Sequence, residues 1–396
     1  MAPSGKRRFF RGTLVKRFRV LTALTYNDPL YQQGIVEYAS NADWELDMLV
    51  AYYGIPPTYW KGDGIITNYL YGEHPVLNWV RKQKVPVVSI NADEVPCWPG
   101  SVPDHRACGL LAAEHFLSLG FKNFAYFRCS DQASVIGRQT AFIQKIVRHG
   151  GSVHLLDWRA ISQKRTPVMI LTKQIEKLPK PLGIFCQSDH RASTLFTAIQ
   201  EAGLQVPDDV AILSVGNNEN LCNLAHVPLS SIDIDLSGVA REAAAMLDRL
   251  MRGGLPPCQP IVVPPTGIVR RRSTLAVHVG HPIVNEAMRF ILSNFSQGIN
   301  ANDVIRHVKM SRAGLSRLFK KHFGHSISEM LLRTRMEQIR HELLTTNRKI
   351  YEICETAGFS SYIHFSKAFY RCYGFTASEF RKSHRSKLPQ PEEPEM

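Results

Sequence analysis

The sequence predicts an α/β domain of two lobes, followed by an all-α domain that carries two helix-turn-helix motifs. Short β-branched runs alternate with helical stretches over residues 18–273. Further on, the same basic amphipathic helix occurs twice: LSRLFKKHFGHSISEM begins at Leu315, and FSKAFYRCYGFTASEF begins fifty residues later at Phe365. The charge divides at the same place. Residues 20–279 hold 23 basic and 23 acidic side chains, whereas residues 280–388 hold 18 basic and 8 acidic.

The first part has the pattern of parallel sheets that are covered on both faces. Its apolar runs, each bounded by Gly, Pro, Asn or Asp, are FRVLTALTY, GIITNY, VPVVSI, NFAYFRC, GIFCQ and VAILSV. Helical stretches such as ACGLLAAEHFLSLG, RQTAFIQKIVRHGG and RASTLFTAIQEAG lie between them. Buried strands that alternate with helices are typical of parallel sheets. Because the region has about 255 residues, we expect two lobes.

No motif in this α/β part requires catalysis. It lacks the G-x-x-x-x-G-K-[ST] and G-x-G-x-x-G phosphate loops, the G-x-S-x-G nucleophile turn and the H-E-x-x-H metal pair. The eight cysteines are scattered, with no Cys-x-x-Cys pair, which favours a reducing cytoplasm without disulfides or zinc. We therefore expect no metal, no other cofactor and no enzymatic activity.

Two other classes of protein stay open as alternatives. A sugar-processing enzyme would fit a two-lobed α/β body, although no catalytic constellation is recognisable. A transported sugar-binding protein would also fit residues 18–273, but it would need an export signal. The basic start MAPSGKRRFFRGTLVKRF does not resemble such a signal, and no run of about 18 apolar residues predicts a membrane span.

The first basic helix has a buried face and a polar face. Its predicted core positions follow the spacing i, i+3, i+4 and i+8 and are Leu315, Leu318, Phe319 and Phe323. The opposite face carries Arg312, Ala313, Ser316, Arg317 and Lys320. We expect Ser311 to cap this helix, and a short helix capped by Asn302 to precede it across a turn at Met310. Two short helices with a basic second member predict a helix-turn-helix.

The second copy repeats this arrangement. Its first helix is expected to bury Ile350, Ile353 and Cys354, and Gly358 follows where a positive φ is required. In its second helix we expect Phe365, Ala368, Phe369 and Cys372 to point inward, and Tyr362, Ile363, His364, Ser366 and Lys367 to point outward. The stretch ISEMLLRTRMEQIRHELLTT predicts a rigid helix between the copies. Two recognition helices held in this way could enter successive major grooves about 34 Å apart.

Residues 283–385 resemble the DNA-binding domain of the AraC/XylS family of bacterial transcription regulators, through IYEICETAGFSSYIHFSKAFYRCYGFTASEFR and MSRAGLSRLFKKHFGHSISEMLLRTRMEQIRHELL. The resemblance implies that base edges are read by Ala313, Ser316 and Arg317 in the first motif, with Arg312 beside them. In the second motif it implies Ile363, His364 and Lys367, with Tyr362 beside them. Lys320, Lys321 and Arg371 are expected to hold phosphates.

The α/β part is similar to the type I periplasmic-binding fold of LacI/GalR-like sensors. The similar segments are GLQVPDDVAILSVGNNENL, VPLSSIDIDLSGVAREAAAMLDRLM, IVVPPTGIVRRRST and DHRACGLLAAEHFLSLGFKNFAYF. The resemblance implies a small sugar bound between the lobes by Arg138 and Asp189, with Asp104, Tyr31 and Asn217 as further candidates. Gly216 stands where that family usually has a sugar-binding Asp, so the identity of the sugar does not carry over.

Such a sensor joined to an AraC-type domain resembles the xylose operon regulator group. This implies a cytoplasmic, sugar-responsive transcription regulator that takes xylose or a related pentose, and the AraC-type resemblance favours activation over repression. Its expected partners are double-stranded DNA, a second copy of the chain and, for an activator, RNA polymerase. We expect a basic tail at residues 1–17, the sensor at 18–273, a linker at 274–282, the DNA-binding domain at 283–388 and an acidic tail at 389–396.

Overall fold

The computed structural model describes residues 17–24, 29–68, 74–90 and 98–384. The two predicted tails lie almost entirely outside these residues. Within them, no helix is both long enough and apolar enough to cross a bilayer. The described residues form two compact units: the first holds those between 17 and 101 together with 240–260, and the second holds 102–239 and 261–384.

The α/β part contains twelve strands and ten α-helices among the described residues. The strands are β1 (Arg19–Ala23), β2 (Glu45–Asp47), β3 (Gly64–Thr67), β4 (Val87–Ile90), β5 (Gly100–Pro103), β6 (Asn123–Arg128), β7 (Val153–Asp157), β8 (Leu182–Cys186), β9 (Val210–Val215), β10 (Ser230–Asp233), β11 (Ile261–Val263) and β12 (Gly267–Val269). The helices are α1 (Pro29–Asn41), α2 (Leu49–Tyr53), α3 (Pro75–Val80), α4 (His105–Ser118), α5 (Ala133–Arg148), α6 (Trp158–Ile161), α7 (Pro167–Lys177), α8 (Asp189–Glu201), α9 (Glu219–Leu224) and α10 (Leu236–Met251).

The first unit is built on parallel strands in the order β5-β4-β3-β1-β2. The register places Val20 beside Gly64 and Ile65 beside Val87. One face of these strands packs on α2 and α3 through a core of Leu21, Val50, Ile65, Val76 and Val80. Strands buried on both faces explain the continuous apolar runs of the sequence.

The second unit contains a sheet of order β12-β10-β9-β8-β6-β7, in which only β12 is antiparallel to its neighbour. Helices α7 and α8 cover one face through Leu171, Ile175 and Leu195. The other face carries a cluster of aromatic rings, in which the Phe142 and Phe185 centroids lie 5.2 Å apart with the rings tilted by 50°. Because β6, β8, β9 and β10 are parallel, their carboxyl ends lie along one edge, which positions the ligand candidates described below.

The C-terminal part of the second unit is all helical, as predicted. It comprises α11 (Pro282–Asn294), α12 (Ala301–His307), α13 (Arg312–Phe323), α14 (Ile327–Thr345), α15 (Ile350–Thr356), α16 (Tyr362–Tyr373) and α17 (Ala377–His384). Helices α12 and α13 form the first helix-turn-helix, and α15 and α16 form the second. Helix α14 is the predicted rigid helix between them. Residues 274–277, expected to belong to a linker, are largely buried: Thr274, Ala276 and Val277 are all nearly inaccessible.

Two local predictions are wrong. Asn300, not Asn302, caps α12, because its side chain accepts from the Asn302 N–H at 2.8 Å while Asp303 accepts from the Asn300 N–H at 2.9 Å, which makes a capping box. Cys372 is exposed rather than inward. Tyr373 takes the inward place, since its ring packs 4.6 Å from Phe369 and its hydroxyl donates to the Met336 carbonyl oxygen.

Candidate functional site

The polar face of α13 is exposed, as the spacing predicts. Leu315 and Phe319 are fully buried, whereas Arg312, Ala313, Arg317, Lys320 and Lys321 are exposed and Ser316 is half-buried. Ser311 caps the helix by accepting from the Gly314 N–H at 3.2 Å. The positive end of the α13 dipole therefore lies beside the exposed Arg312, an arrangement that favours approach to an anionic backbone.

Helix α16 presents a more apolar surface than α13. Tyr362 and Ile363 are 51% and 65% exposed, and His364, Lys367 and Arg371 are exposed as well. Tyr370, which is 57% exposed, was not among the predicted site residues. It lies at i+7 from Ile363 and i+3 from Lys367, so the helical period could have placed it on this face.

The cations of both helices are available to a polyanion. In the described parts of the chain, none of Arg312, Arg317, Lys320, Lys367 and Arg371 forms an ion pair with an acidic side chain. Acids elsewhere in this domain are already engaged, as Glu342 is with Arg348 at 2.7 Å. An uncompensated basic face is what phosphate contacts require.

Arg335 on α14 holds the two motifs in a fixed relation. Its Nε donates to the Phe295 carbonyl oxygen at 3.0 Å and its Nη2 donates to the Ile299 carbonyl oxygen at 2.7 Å, both beside the first motif. Its guanidinium also lies 5.5 Å from the ring centroid of Phe359, in the second motif. One planar side chain thus contacts both the segment before α12 and the loop between α15 and α16.

Four of the five predicted ligand residues come together in the second unit, and the fifth, Tyr31, is buried in α1 of the first unit. Asp104 caps α4 by accepting from the Ala107 N–H at 2.8 Å. Arg138 is 8% exposed, and its Nε donates to Nδ1 of His105 at 3.2 Å while its Nη1 donates to the Gln187 carbonyl oxygen at 2.8 Å. Arg138 is therefore held in place by α4 and by the end of β8.

Asp189 is largely saturated by protein donors. It is 5% exposed and accepts from the Ser214 hydroxyl, from the Ser231 hydroxyl at 2.7 Å and from the Asn218 N–H at 2.8 Å. Burial raises the pKa of this carboxyl, and the hydroxyl donors oppose that shift. These bonds connect the start of α8 to β9, to β10 and to the loop after β9.

Gly216 has a backbone reason to be glycine. Its φ is +127°, and a Cβ at this position would lie 3.0 Å from Asp189 Oδ2. An aspartate here would strain the backbone and place a second carboxylate against the first. The local backbone conformation therefore favours glycine at position 216 over the aspartate that the sensor family usually has there.

Asn217 does not replace the missing carboxylate directly. Its φ is +53°, its amide oxygen accepts from Arg271 Nη2 at 3.0 Å, and its amide nitrogen donates to Asp233 Oδ2 at 3.2 Å. Asp233, at the end of β10, is an acceptor that the sequence reasoning missed. It directly follows a buried strand in the phrase SSIDID, which is the position that would have indicated it.

Thr266 joins this edge of the sheet to the C-terminal helices. Its N–H donates to the Asp233 carbonyl oxygen at 2.9 Å, and its side chain hydrogen-bonds the Asp233 carboxyl. Its Oγ1 lies 3.4 Å from Nδ1 of His341 on α14. Nearby, Arg270 Nη2 pairs with Glu337 of α14 at 2.7 Å. A continuous set of polar contacts therefore runs from Asn217 to the helix that holds both motifs.

We expect stability to fall in mild acid because two histidines are held neutral. Burial lowers the pKa of His105 to about 3, aided by Arg138, and lowers the pKa of His341 to about 4. Both values lie below the ordinary 6.5, so below pH 6.5 the unfolded chain binds more protons than the folded chain. The contribution of each neutral histidine to the free energy of unfolding is complete above pH 6.5 and decreases as the pH falls toward 4. At pH 5 the free energy of unfolding is lower by about 2 kcal/mol for each histidine.

Thermal unfolding at pH 7.5 and pH 5 tests this expectation. His341→Gln should show a smaller drop in Tm between the two pH values than the unmodified chain. The exposed His154 gives the matched control, since His154→Gln should leave the drop unchanged. An equal drop in all three proteins would contradict the assignment.

Comparison with known proteins agrees with this architecture. A family described as periplasmic binding protein-like domain matches residues 113–274, and a helix-turn-helix domain family matches residues 304–383. The xylose operon regulatory protein of Escherichia coli K12 is 26% identical over 385 residues, which is 92% of this chain and 97% of that protein. That of Haemophilus influenzae is 25% identical over 81% of this chain and 84% of that protein.

A solved structure titled as the xylose-binding transcription activator xylR is 25% identical, covers 93% of this chain and 99% of that one, and has a TM-score of 0.58. A sensor of this fold followed by paired helix-turn-helix motifs defines a DNA-binding transcription regulator, which confirms the predicted fold class. Residues 304–383 belong to an AraC-type helix-turn-helix domain, which follows a periplasmic-binding-protein-like sensor domain. The chain resembles the xylose operon regulatory proteins over nearly its whole length.

Proposed function

We propose that the chain regulates transcription in response to a small sugar, xylose or a related pentose, bound at the carboxyl edge of the second-unit sheet. The observation that carries this proposal is the gathering of Arg138, Asn217 and Asp233 at that edge, in a chain that resembles xylose regulators. Asp104 lies at the start of α4, next to the His105 that Arg138 contacts. Buried donors and acceptors of fixed geometry are what sugar hydroxyls require, because an unmatched buried polar group costs about 1–3 kcal/mol.

At the DNA end, the proposal assigns sequence reading to α13 and α16. Arg317 is suited to a bidentate contact with guanine, and Lys367 and His364 have donors for base edges. Lys320, Lys321 and Arg371 add affinity through phosphates without selecting sequence. The exposed Ile363 and Tyr370 suit apolar contact with thymine methyl groups.

Coupling between the two ends runs through Thr266 and His341. A sugar hydroxyl bonded to Asp233 or Asn217 competes with, or reorients, the bonds that these residues make to each other and to Thr266. The sugar shifts the regulator only if it binds the two arrangements with different affinities. Because His341 lies on α14, a change at Thr266 acts on the helix that carries both motifs.

The proposal extends to an activator that works as a homodimer in the cytoplasm, with RNA polymerase as its partner. Two chains would double the length of DNA that is read. Light scattering of the chain, free and on operator DNA, measures this directly. A monomer in both states would overturn the dimer.

The deciding experiment is a DNA-binding titration at several fixed salt concentrations, against the upstream region of the protein's own gene, with and without a panel of pentoses and hexoses. Salt must be controlled because phosphate contacts dominate affinity. We expect one pentose to shift the specific Kd several-fold. If the chain binds DNA specifically but no sugar changes the Kd, the assignment as a DNA-binding regulator stands and the proposed sugar response is wrong.

Replacing Thr266 by valine is expected to reduce the sugar-induced shift of DNA affinity at least threefold. Valine keeps the shape of threonine but loses the hydroxyl that meets His341 and Asp233. The affinity for DNA alone should stay within about twofold, since Thr266 is not among the predicted DNA contacts. Thr197→Val, at an exposed helix site, is the control. An unchanged shift in Thr266→Val would refute this path.

A further inference from the structure

A cavity of about 410 Å³ lies where the end of α4, the residue after β12 and helix α14 meet within the second unit. A smaller cavity of about 230 Å³ adjoins it and shares Ser118, Arg270 and Glu337 with it. We call the two together the junction cavity. It is separate from the predicted sugar residues, none of which lines it.

The walls of the larger cavity are basic. Lys122, Arg270 and Arg333 line it, and Glu337 is its single acidic residue. Glu337 is already paired with Arg270 at 2.7 Å, so it does not neutralise the other two cations. Lys122 and Arg333 are exposed at its rim, and Arg333 Nη1 lies 2.6 Å from Nε2 of His325. This arrangement attracts an anion.

Buried polar groups in the same walls lack protein partners. His115 is only 4% exposed and lines the smaller cavity, yet neither ring nitrogen has a hydrogen-bond partner within the described residues. The same is true of Arg270 Nε and of His278 Nε2, which line the larger cavity. Burying such groups without partners costs free energy. A ligand with several acceptor oxygens would satisfy the Arg270 N–H and one N–H of the His115 ring at once.

We propose that the junction cavity binds a small phosphorylated metabolite, with its phosphate between Arg270, Lys122 and Arg333. The volume exceeds that of a single ion and lies within the range of small-molecule sites. A phosphate monoester offers three oxygens to the guanidinium donors, which suit it geometrically. Since α4 and β12 belong to the sensor and α14 to the DNA-binding domain, the occupant is a second effector. By thermodynamic linkage, the phosphorylated ligand changes the affinity for DNA by the same factor by which DNA changes the affinity for that ligand.

Isothermal titration of the full chain with ribose 5-phosphate, inorganic phosphate and ribose, at constant ionic strength and with saturating xylose, tests the proposal. We expect ribose 5-phosphate to bind with a Kd below about 1 mM. Binding should weaken at least tenfold in the double variant Lys122→Gln/Arg333→Gln, whose changes lie on exposed side chains. Lys173→Gln, at an exposed lysine on α7, is the control for the loss of a surface cation outside the cavity and should bind normally.

The arms separate the possible ligands. Binding of ribose 5-phosphate but not of phosphate or ribose supports a phosphorylated sugar, and equal binding of phosphate supports a site that reads the phosphate alone. His115→Phe should also weaken binding, because it removes a donor while keeping an aromatic ring beside Phe116. No binding, or binding that the double variant leaves unchanged, overturns the proposal. The sugar response of the regulator is measured separately, so either proposal can fail without the other.

Discussion

Replacing Gly358 by alanine is expected to lower the free energy of unfolding of the DNA-binding domain by about 3 kcal/mol. Gly358 has φ +81°, and a Cβ there would lie 2.3 Å from the Phe295 carbonyl oxygen and 3.0 Å from the Gly298 nitrogen. The left-handed backbone alone costs a non-glycine residue about 1–2 kcal/mol. The rest comes from displacing backbone atoms, which cannot rotate away as a side chain can. Urea titration followed by circular dichroism measures the change.

Gly374 provides the matched control for this substitution. It has φ +74°, close to that of Gly358, but a Cβ there would meet nothing within 4 Å. Gly374→Ala should therefore cost only the backbone term, about 1–2 kcal/mol. If both variants lose the same stability, the close approach of Gly358 to the first motif contributes nothing.

Replacing Arg317 by alanine is expected to weaken binding to the specific DNA site about 10- to 100-fold, as removal of a bidentate base contact costs about 1–3 kcal/mol. Arg317 is exposed on α13, beyond the buried Leu315 and Phe319, and its loss leaves the helix core intact. Non-specific affinity should fall much less. A fluorescence titration with specific and scrambled duplexes at equal salt gives both affinities.

Lys321→Ala is the control that distinguishes a contact with bases from a contact with phosphates. It should weaken specific and scrambled duplexes alike, and should reduce the slope of log Kd against log salt concentration by about one. If Arg317→Ala behaves in the same way, Arg317 contacts phosphate and the base assignment is wrong.

The helices of the DNA-binding domain could be predicted closely from the sequence. Their signals are local: the apolar period of Leu315 and Phe319, the Ser311 cap and the left-handed glycine at 358 all act within one or two turns. The strands of the sensor could be predicted equally well, because a strand that is buried on both faces is a continuous apolar run in the sequence. Asn302 was predicted as the cap of α12, but Asn300 caps it because a capping box forms there. Cys372 was predicted to point inward, but its neighbour Tyr373 does so because its ring packs against Phe369.

The sequence by itself thus determined the two domain types, the duplicated motif and the exposed reading faces, since periodicity and resemblance carry that information. Only the tertiary structure decided how the polar residues are used. It showed Asp189 bonded to two hydroxyls and a backbone N–H, Gly216 required by its backbone conformation, and Asp233 linked through Thr266 to His341. These contacts join residues from 25 to 75 positions apart, which no local pattern encodes. Their partners are chosen by the packing of β10 and β12 beside α14, and that packing exists only in the folded chain.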